Sequence, residues 1–133
     1  SPPIAIPSTP QKPLAIRFEN LTSEAYKDIL IDFRIRNSSF KDIFTVSNHT
    51  PRRIFQWKNF DGLGTSNKEA FTFEFVANKK RDQKDIVVYK ANFTDPKGDF
   101  DALTFEPELN STSGIEHRFF YLPQEGKYGI EKK

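Results

Sequence analysis

The chain has 133 residues, with 20 Lys and Arg against 18 Asp and Glu and a formal net charge of +2. This length suits one domain, which can bury about two-thirds of its unfolded surface. The chain contains no Cys, which excludes a disulfide framework, a cysteine zinc site, an iron–sulfur site and a cysteine nucleophile. No apolar run approaches the roughly 18 residues of a membrane-spanning helix. Because 14 Phe stand against 7 Leu and no Met, the core is expected to be aromatic.

The first 13 residues hold five of the nine prolines: Pro2, Pro3, Pro7, Pro10 and Pro13. Proline fixes φ and lacks an N–H donor, so this segment is predicted to form neither a helix nor a central strand. Residues 1–13 are therefore expected to be an extended tether, and residues 14–133 a single domain. An unstructured end is the alternative. Contact with a membrane is expected only through an N-terminal anchor outside this chain.

The rest of the chain is patterned with a period of two. Strands are predicted at 14–19, 28–36, 43–47, 52–58, 69–77, 85–93, 100–106 and 115–122. In the clearest of them, 28–36, the odd-numbered apolar residues from Ile29 to Ile35 are expected to face the core. The even-numbered residues from Leu30 to Arg36 are expected to face water.

Turn chemistry separates these strands. Asp61–Gly64 carries two glycines, 78–85 is read as a charged hairpin tip, and Asp95–Asp99 combines Pro with Gly. A polar loop is expected at 110–114 and one helical turn at 23–28. About eight short strands indicate an all-β fold, which we predict to be an antiparallel β-sandwich of Ig-like or jelly-roll-like form.

Five of the eight asparagines lie in the glycosylation acceptor pattern Asn-x-Ser/Thr: Asn20, Asn37, Asn48, Asn92 and Asn110. All five fall at predicted strand ends or loops, where an acceptor has to be exposed. This indicates an extracytoplasmic protein that is secreted, displayed on a cell surface or held as a periplasmic lipoprotein. The alternative is that these residues form turns through their side-chain hydrogen bonds.

Two groups of side chains are candidates for ligand binding. The basic stretch 34–58 includes Arg34, Arg36, Arg52 and Arg53 with aromatic residues between them, a pattern that could bind single-stranded nucleic acid or another polyanion. The near-balanced net charge disfavours nucleic acid. The second group comprises Trp57, Tyr89 and Tyr121, whose flat rings could stack on sugar faces. Core packing and ordinary strand alternation are the competing interpretations.

Catalytic and metal-binding patterns are weak. Asp95, Asp99 and Asp101 could cluster oxygen atoms around Ca²⁺, although their spacing is not that of an EF-hand loop and a solvated acidic turn is the simpler interpretation. The two histidines, His49 and His117, have no metal-ligand spacing, and no nucleophile motif is present. We expect no cofactor and no enzymatic activity.

These observations predict a non-enzymatic extracytoplasmic binding module, tethered through its N-terminal segment. Its expected partner is a protein or a surface polysaccharide, contacted through strand edges and loops. A carbohydrate-binding module using exposed aromatic residues is one alternative. A binder of single-stranded nucleic acid or another polyanion is the other.

Overall fold

The computed structural model describes residues 12–130, which form eight strands and no helix. The strands are β1 (Ala15–Glu19), β2 (Asp28–Ile35), β3 (Ser38–Ser47), β4 (Thr50–Asp61), β5 (Glu69–Asn78), β6 (Arg81–Asn92), β7 (Asn110–Leu122) and β8 (Lys127–Gly129). Most of the predicted tether, residues 1–11, lies outside the described residues. Within the described part, no helix is long and apolar enough to cross a membrane.

The eight strands follow one another across a single antiparallel sheet in the order β1 to β8. The predicted all-β, antiparallel architecture is therefore confirmed, whereas its sandwich, Ig-like or jelly-roll-like form stays a prediction. Pairing is shortest between β4 and β5, which share two paired positions, and between β7 and β8, which share three. Strand β8 pairs with β7 and also contacts β4, where the rings of Phe55 and Tyr128 lie 6.2 Å apart.

The main core draws side chains from both halves of the meander. It consists of Leu21, Leu30, Ile43, Ile54, Phe55, Phe71, Ile86, Val88, Phe119 and Tyr128. A second cluster of Phe60, Leu63, Ala70 and Phe93 lies at the end where β4 and β5 meet. Each fully buried Phe contributes about 1.5–3 kcal/mol, so aromatic residues supply much of the burial that the composition predicted.

Two bulges in β4 explain why its apolar pattern is irregular. The pairing moves from Ile43↔Phe55 to Phe44↔Arg53, which leaves Ile54 as an extra residue. Ile54 and Phe55 are consequently both buried, although they are neighbours in sequence. A second shift leaves Asn59 unpaired, and its amide nitrogen donates to Asp32 Oδ1 at 2.9 Å.

The prediction for the two faces of 28–36 is wrong. The even-numbered face is buried: Leu30 belongs to the main core, and Arg34, which is 1% exposed, lies over the Phe60 ring of the second cluster. The odd-numbered residues Ile31 and Phe33 are also buried, on the opposite face. Alternation alone could not assign the faces, since both carry apolar residues and Arg34 has internal hydrogen-bond partners.

Arg34 connects β2 to the segment 99–109. Its Nη2 donates to the carbonyls of Ala102 and Phe105 at 3.0 and 2.6 Å, and its Nε donates to Arg36 O at 3.1 Å. The guanidinium carbon also lies 4.8 Å from the centre of the Phe60 ring. The Arg34 guanidinium therefore lies at the second core cluster with its N–H groups hydrogen-bonded.

Several other predicted elements need correction. Residues 100–106 form no strand, because Thr104 N and Phe105 N both donate to Asp101 O and close a turn. The segment 110–114, predicted to be a loop, is the start of β7. The segment 23–28 forms bends without a helical turn, and β8 was not among the predicted strands.

Two fully buried aspartates occupy matching places, each followed by Ile, in β3 and β6. Asp42 accepts from Arg53 Nη2 at 3.0 Å and from Gln56 Nε2 at 2.7 Å. Asp85 accepts from Arg118 Nη2 at 2.7 Å and from an Asn78 amide. Hydrogen bonds to charged groups contribute about 1.5–3 kcal/mol, so both carboxylates stabilise the pairing of their strands with the next ones.

Candidate functional site

The interrupted pairing of β4 and β5 opens a cleft. Only Phe60↔Ala70 and Asp61↔Glu69 are paired, so the preceding part of β4 runs free of β5. The opening has a volume of about 370 Å³ and is lined by Phe40, Gln56, Trp57, Lys58, Glu69, Phe71 and Glu116. This volume and this mixture of aromatic and polar side chains are typical of small-molecule sites.

Trp57 forms the apolar wall of the cleft and is half-buried. Its ring centre lies 5.7 Å from that of Phe71, 5.5 Å from His117 and 5.4 Å from Phe119. Trp57 Nε1 is buried and has no hydrogen-bond acceptor among residues 12–130. A buried donor without an acceptor costs about 1–3 kcal/mol, so this N–H is unusual in a folded protein.

The polar side of the cleft begins with Lys58. Its Nζ lies 3.2 Å from Glu69 Oε1 and 3.5 Å from Asp61 Oδ2. Partial burial acts to lower the pKa of Lys58, but the hydrogen bonds and charges of Glu69 and Asp61 outweigh it and raise that pKa. The cleft therefore presents a fixed ammonium group beside a carboxylate.

Glu116 reaches the cleft because of a bulge in β7. Val88 pairs with His117 and Tyr89 with Ile115, which leaves Glu116 as the extra residue between them. A bulge re-aims a side chain away from strict alternation. Sequence reasoning missed Glu116, Glu69 and the two phenylalanines of the cleft, since nothing in the local pattern marks a bulge or a break in strand pairing.

The aromatic candidates are not brought together. Trp57 lines the cleft, but neither Tyr89 nor Tyr121 is part of its lining. Tyr121 packs against the main core, with its ring 5.5 Å from that of Tyr128. Tyr89 is half-buried on β6.

The basic candidates do not form one surface either. Arg34 is buried against 99–109, and Arg53 pairs with Asp42 and lies over the Phe44 ring. Arg52 donates to the carbonyl of Gly126, while Arg36 sits exposed with positive φ in the turn between β2 and β3. Arg34, Arg52 and Arg53 therefore have internal partners at separate places in the fold.

The acidic candidates are separated as well. Asp95 accepts from Gly64 N at 2.8 Å and pairs with Lys68 at 3.0 Å, whereas Asp101 accepts from Leu103 N at 2.9 Å. Asp99 is exposed. Across residues 12–130, no three His, Cys, Asp or Glu side chains are grouped so that they could hold a metal ion.

The five glycosylation candidates fall into two classes. The amide nitrogen of Asn20 donates to the carbonyls of Ser23, Glu24 and Tyr26, and that of Asn37 donates to Leu63 O. These two side chains are part of the turns that they close. The other three candidates are exposed: Asn48, Asn92 and Asn110.

Asp61, at the closed end of the cleft, should make stability depend on pH. A hydrogen bond from Ser38 and the Lys58 ammonium lower the pKa of Asp61 below 3.8. A carboxyl group with a lowered folded-state pKa adds stability above its unfolded pKa, and that contribution disappears as pH falls through the folded pKa. We expect Asp61→Asn to lower the melting temperature at pH 7 and to lose this effect below pH 3.8.

The matched control for that titration is Asp99→Asn, at an exposed carboxylate with no ion pair among the described residues. Its melting curve should follow the wild type at both pH values. An Asp61→Asn effect of equal size at pH 7 and at acidic pH would contradict the assignment.

The cleft brings one sequence-predicted aromatic residue, Trp57, together with charged groups that sequence reasoning did not select. Its arrangement carries the functional argument alone, since no protein-family model, no curated protein and no solved structure matches this chain.

Proposed function

We propose that this protein is a non-enzymatic binding module that takes a carbohydrate in the cleft between β4 and β5. The observation that carries the proposal is Trp57, a half-buried ring whose indole N–H has no acceptor among residues 12–130. It lies beside Lys58, Glu69 and Glu116. Aromatic rings offer flat apolar area to the C–H face of a sugar, and charged or amide side chains bind its hydroxyl groups.

The charge pattern of the cleft favours a neutral ligand. Lys58 is already paired with Glu69, and Glu116 Oε2 lies 3.9 Å from Lys90 Nζ. Each group can still exchange hydrogen bonds with hydroxyl groups, which donate and accept. An anionic ligand would meet two carboxylates, whereas a neutral sugar meets donors and acceptors in balance.

The single tryptophan makes the proposal measurable. Trp57 is the one Trp of the chain, so its emission reports on the cleft directly. Wild-type protein should show a saturable emission change on titration with at least one of cellohexaose, xylohexaose, laminarihexaose, chitohexaose or mannohexaose. Glu116→Ala should weaken that binding by about tenfold or more, since a hydrogen bond to a charged group contributes about 1.5–3 kcal/mol.

Trp57→Ala should abolish retention of the same oligosaccharide on an immobilised column, and Trp57→Phe should retain part of it. Tyr26→Ala is the matched control, because Tyr26 is 77% exposed and lies outside the cleft. The oligosaccharide should be recovered uncleaved. No binding to any of the five sugars, or equal binding by the Glu116 variant, would refute the proposal.

We also propose an extracytoplasmic location, supported by the exposed acceptors Asn48, Asn92 and Asn110. Glycans on these three leave the hydrogen bonds of Asn20 and Asn37 intact. The intact mass of protein purified from its source tests this, and a mass without any added hexose contradicts it.

A further inference from the structure

Strand β1 leaves one edge of the sheet open. It is the first strand in the sheet order, and within residues 12–130 it has β2 as its single neighbour. Ile16 is 54% exposed and Phe18 57% exposed. Natural edge strands are usually short, covered or interrupted by bulges and charges, because an open apolar edge pairs with another strand.

The opposite end of the sheet is protected. Strand β8 has only three residues, and Tyr128 within it is buried against the main core. Its hydroxyl also donates to Lys84 O at 2.7 Å. Within residues 12–130, the sheet therefore has one open edge, the five residues of β1, a geometry that supports a closed pair of molecules and no continuing fibre.

Arg17 and Glu19 alternate with the apolar residues of β1, so they share the other face of the strand. Arg17 is exposed and Glu19 is half-buried, and neither forms an ion pair within the described residues. In an antiparallel pair, residues directly opposite each other share a face. The two free charges are thus available to a strand that pairs with this edge.

We propose that a second copy of this chain occupies the edge, with β1 pairing antiparallel to β1 about a two-fold axis at Phe18. This register stacks Phe18 on Phe18 of the second copy. It also places Arg17 opposite Glu19 of the second copy, twice by symmetry. The sequence of β1 is therefore complementary to itself.

Neighbouring registers are less favourable. An axis at Arg17 places two arginines directly opposite each other, which is destabilising. An axis at Ile16 places Arg17 opposite Ala15 and leaves both charges unpaired. The axis at Phe18 combines apolar contact on one face with two opposite-charge pairs on the other.

Charge reversal tests the register in the full chain. Sedimentation equilibrium over a concentration series should show a reversible wild-type dimer. Arg17→Glu brings like charges together at two positions and should lower the association constant by about tenfold. The double variant Arg17→Glu/Glu19→Arg restores both pairs with reversed sign and should return dimerisation close to the wild-type level.

Two further variants complete the test. Phe18→Ser should be monomeric with an unchanged circular dichroism spectrum, since Phe18 is largely exposed. Lys27→Glu reverses an exposed charge outside β1 and should dimerise like the wild type. A wild-type monomer at every concentration, or a double variant as weak as Arg17→Glu, overturns the proposal. Neither result bears on the cleft, which is read from Trp57 emission.

Discussion

Arg34→Met should lower the free energy of unfolding by about 3–5 kcal/mol, because each carbonyl that loses its hydrogen-bond donor costs about 1–3 kcal/mol. The change leaves the carbonyls of Ala102 and Phe105 without their donor. It also removes the guanidinium from the Phe60 ring. Urea unfolding followed by circular dichroism measures the loss.

The carbonyl contacts, and not the ion pair, should account for most of this effect. Glu106 is 58% exposed at its side chain, and its Oε1 lies 3.3 Å from Arg34 Nη1. Exposed ion pairs contribute about 0–1 kcal/mol, so Glu106→Gln should cost less than about 1 kcal/mol. Arg34→Lys keeps the charge but loses the forked geometry, so it should fall between the two.

If Glu106→Gln were as damaging as Arg34→Met, the ion pair would dominate and this account would be wrong. Amide exchange distinguishes the carbonyl contacts from the ion pair as the main cause. Because Arg34 holds the turn at 101–105 against the second core cluster, Arg34→Met should increase amide exchange at Phe105 N, which donates to Asp101 O at 2.9 Å. Glu106→Gln should leave that exchange rate unchanged.

Arg34 also shows what alternation can and cannot predict. Period two correctly indicated strands at 14–19, 28–36 and 69–77, because one strand position in two is apolar there. It could not assign the faces of β2, where both are buried. A charged residue such as Arg34 is expected to face water. It is buried here because the carbonyls of Ala102 and Phe105, about 70 positions away, accept its hydrogen bonds.

The failed strand at 100–106 has a related cause. Its residues alternate over too short a distance to distinguish a strand from a turn that buries the same side chains. Phe100 and Phe105 do pack against the second core cluster, but through a turn closed at Asp101. The local conformation of this segment was therefore decided by tertiary contacts.

The cleft was beyond sequence reasoning for another reason. Trp57 was a candidate from its type alone, but its companions depend on where β4 and β5 separate and on the extra residue Glu116 in β7. The separation of the two strands and the extra residue in β7 both depend on the register of strand pairing. Register is set by packing across the sheet and leaves no pattern in the strand that carries it.

The other large loss of stability is expected at Gly62, next to the point where β4 and β5 separate. This residue follows the last residue of β4 with φ of 83°, and a Cβ placed there would lie 1.9 Å from the backbone oxygen of Asn67. Gly62 O also accepts from Thr65 N at 2.9 Å, which holds the turn tight. Gly62→Ala should therefore destabilise the protein by more than about 3 kcal/mol.

Gly98→Ala separates the two contributions to that cost. Gly98 has φ of 82°, almost the same as Gly62, but a Cβ there would meet no atom within 4 Å. The control should cost about 1–2 kcal/mol, the penalty of a left-handed residue alone. Urea unfolding of both variants gives the steric part by difference, and equal losses would show that the close approach to Asn67 is unimportant.

The same substitution links stability to the cleft. To accommodate the new methyl group, the backbone at Asn67 has to move, and Asn67 lies two residues before Glu69, where β5 begins. Glu69 holds Lys58 at 3.2 Å on the polar side of the cleft. Gly62→Ala should consequently shift the emission maximum of Trp57 in the folded state. Gly98→Ala should not, because Gly98 is not part of the cleft lining and a Cβ there would displace no atom within 4 Å.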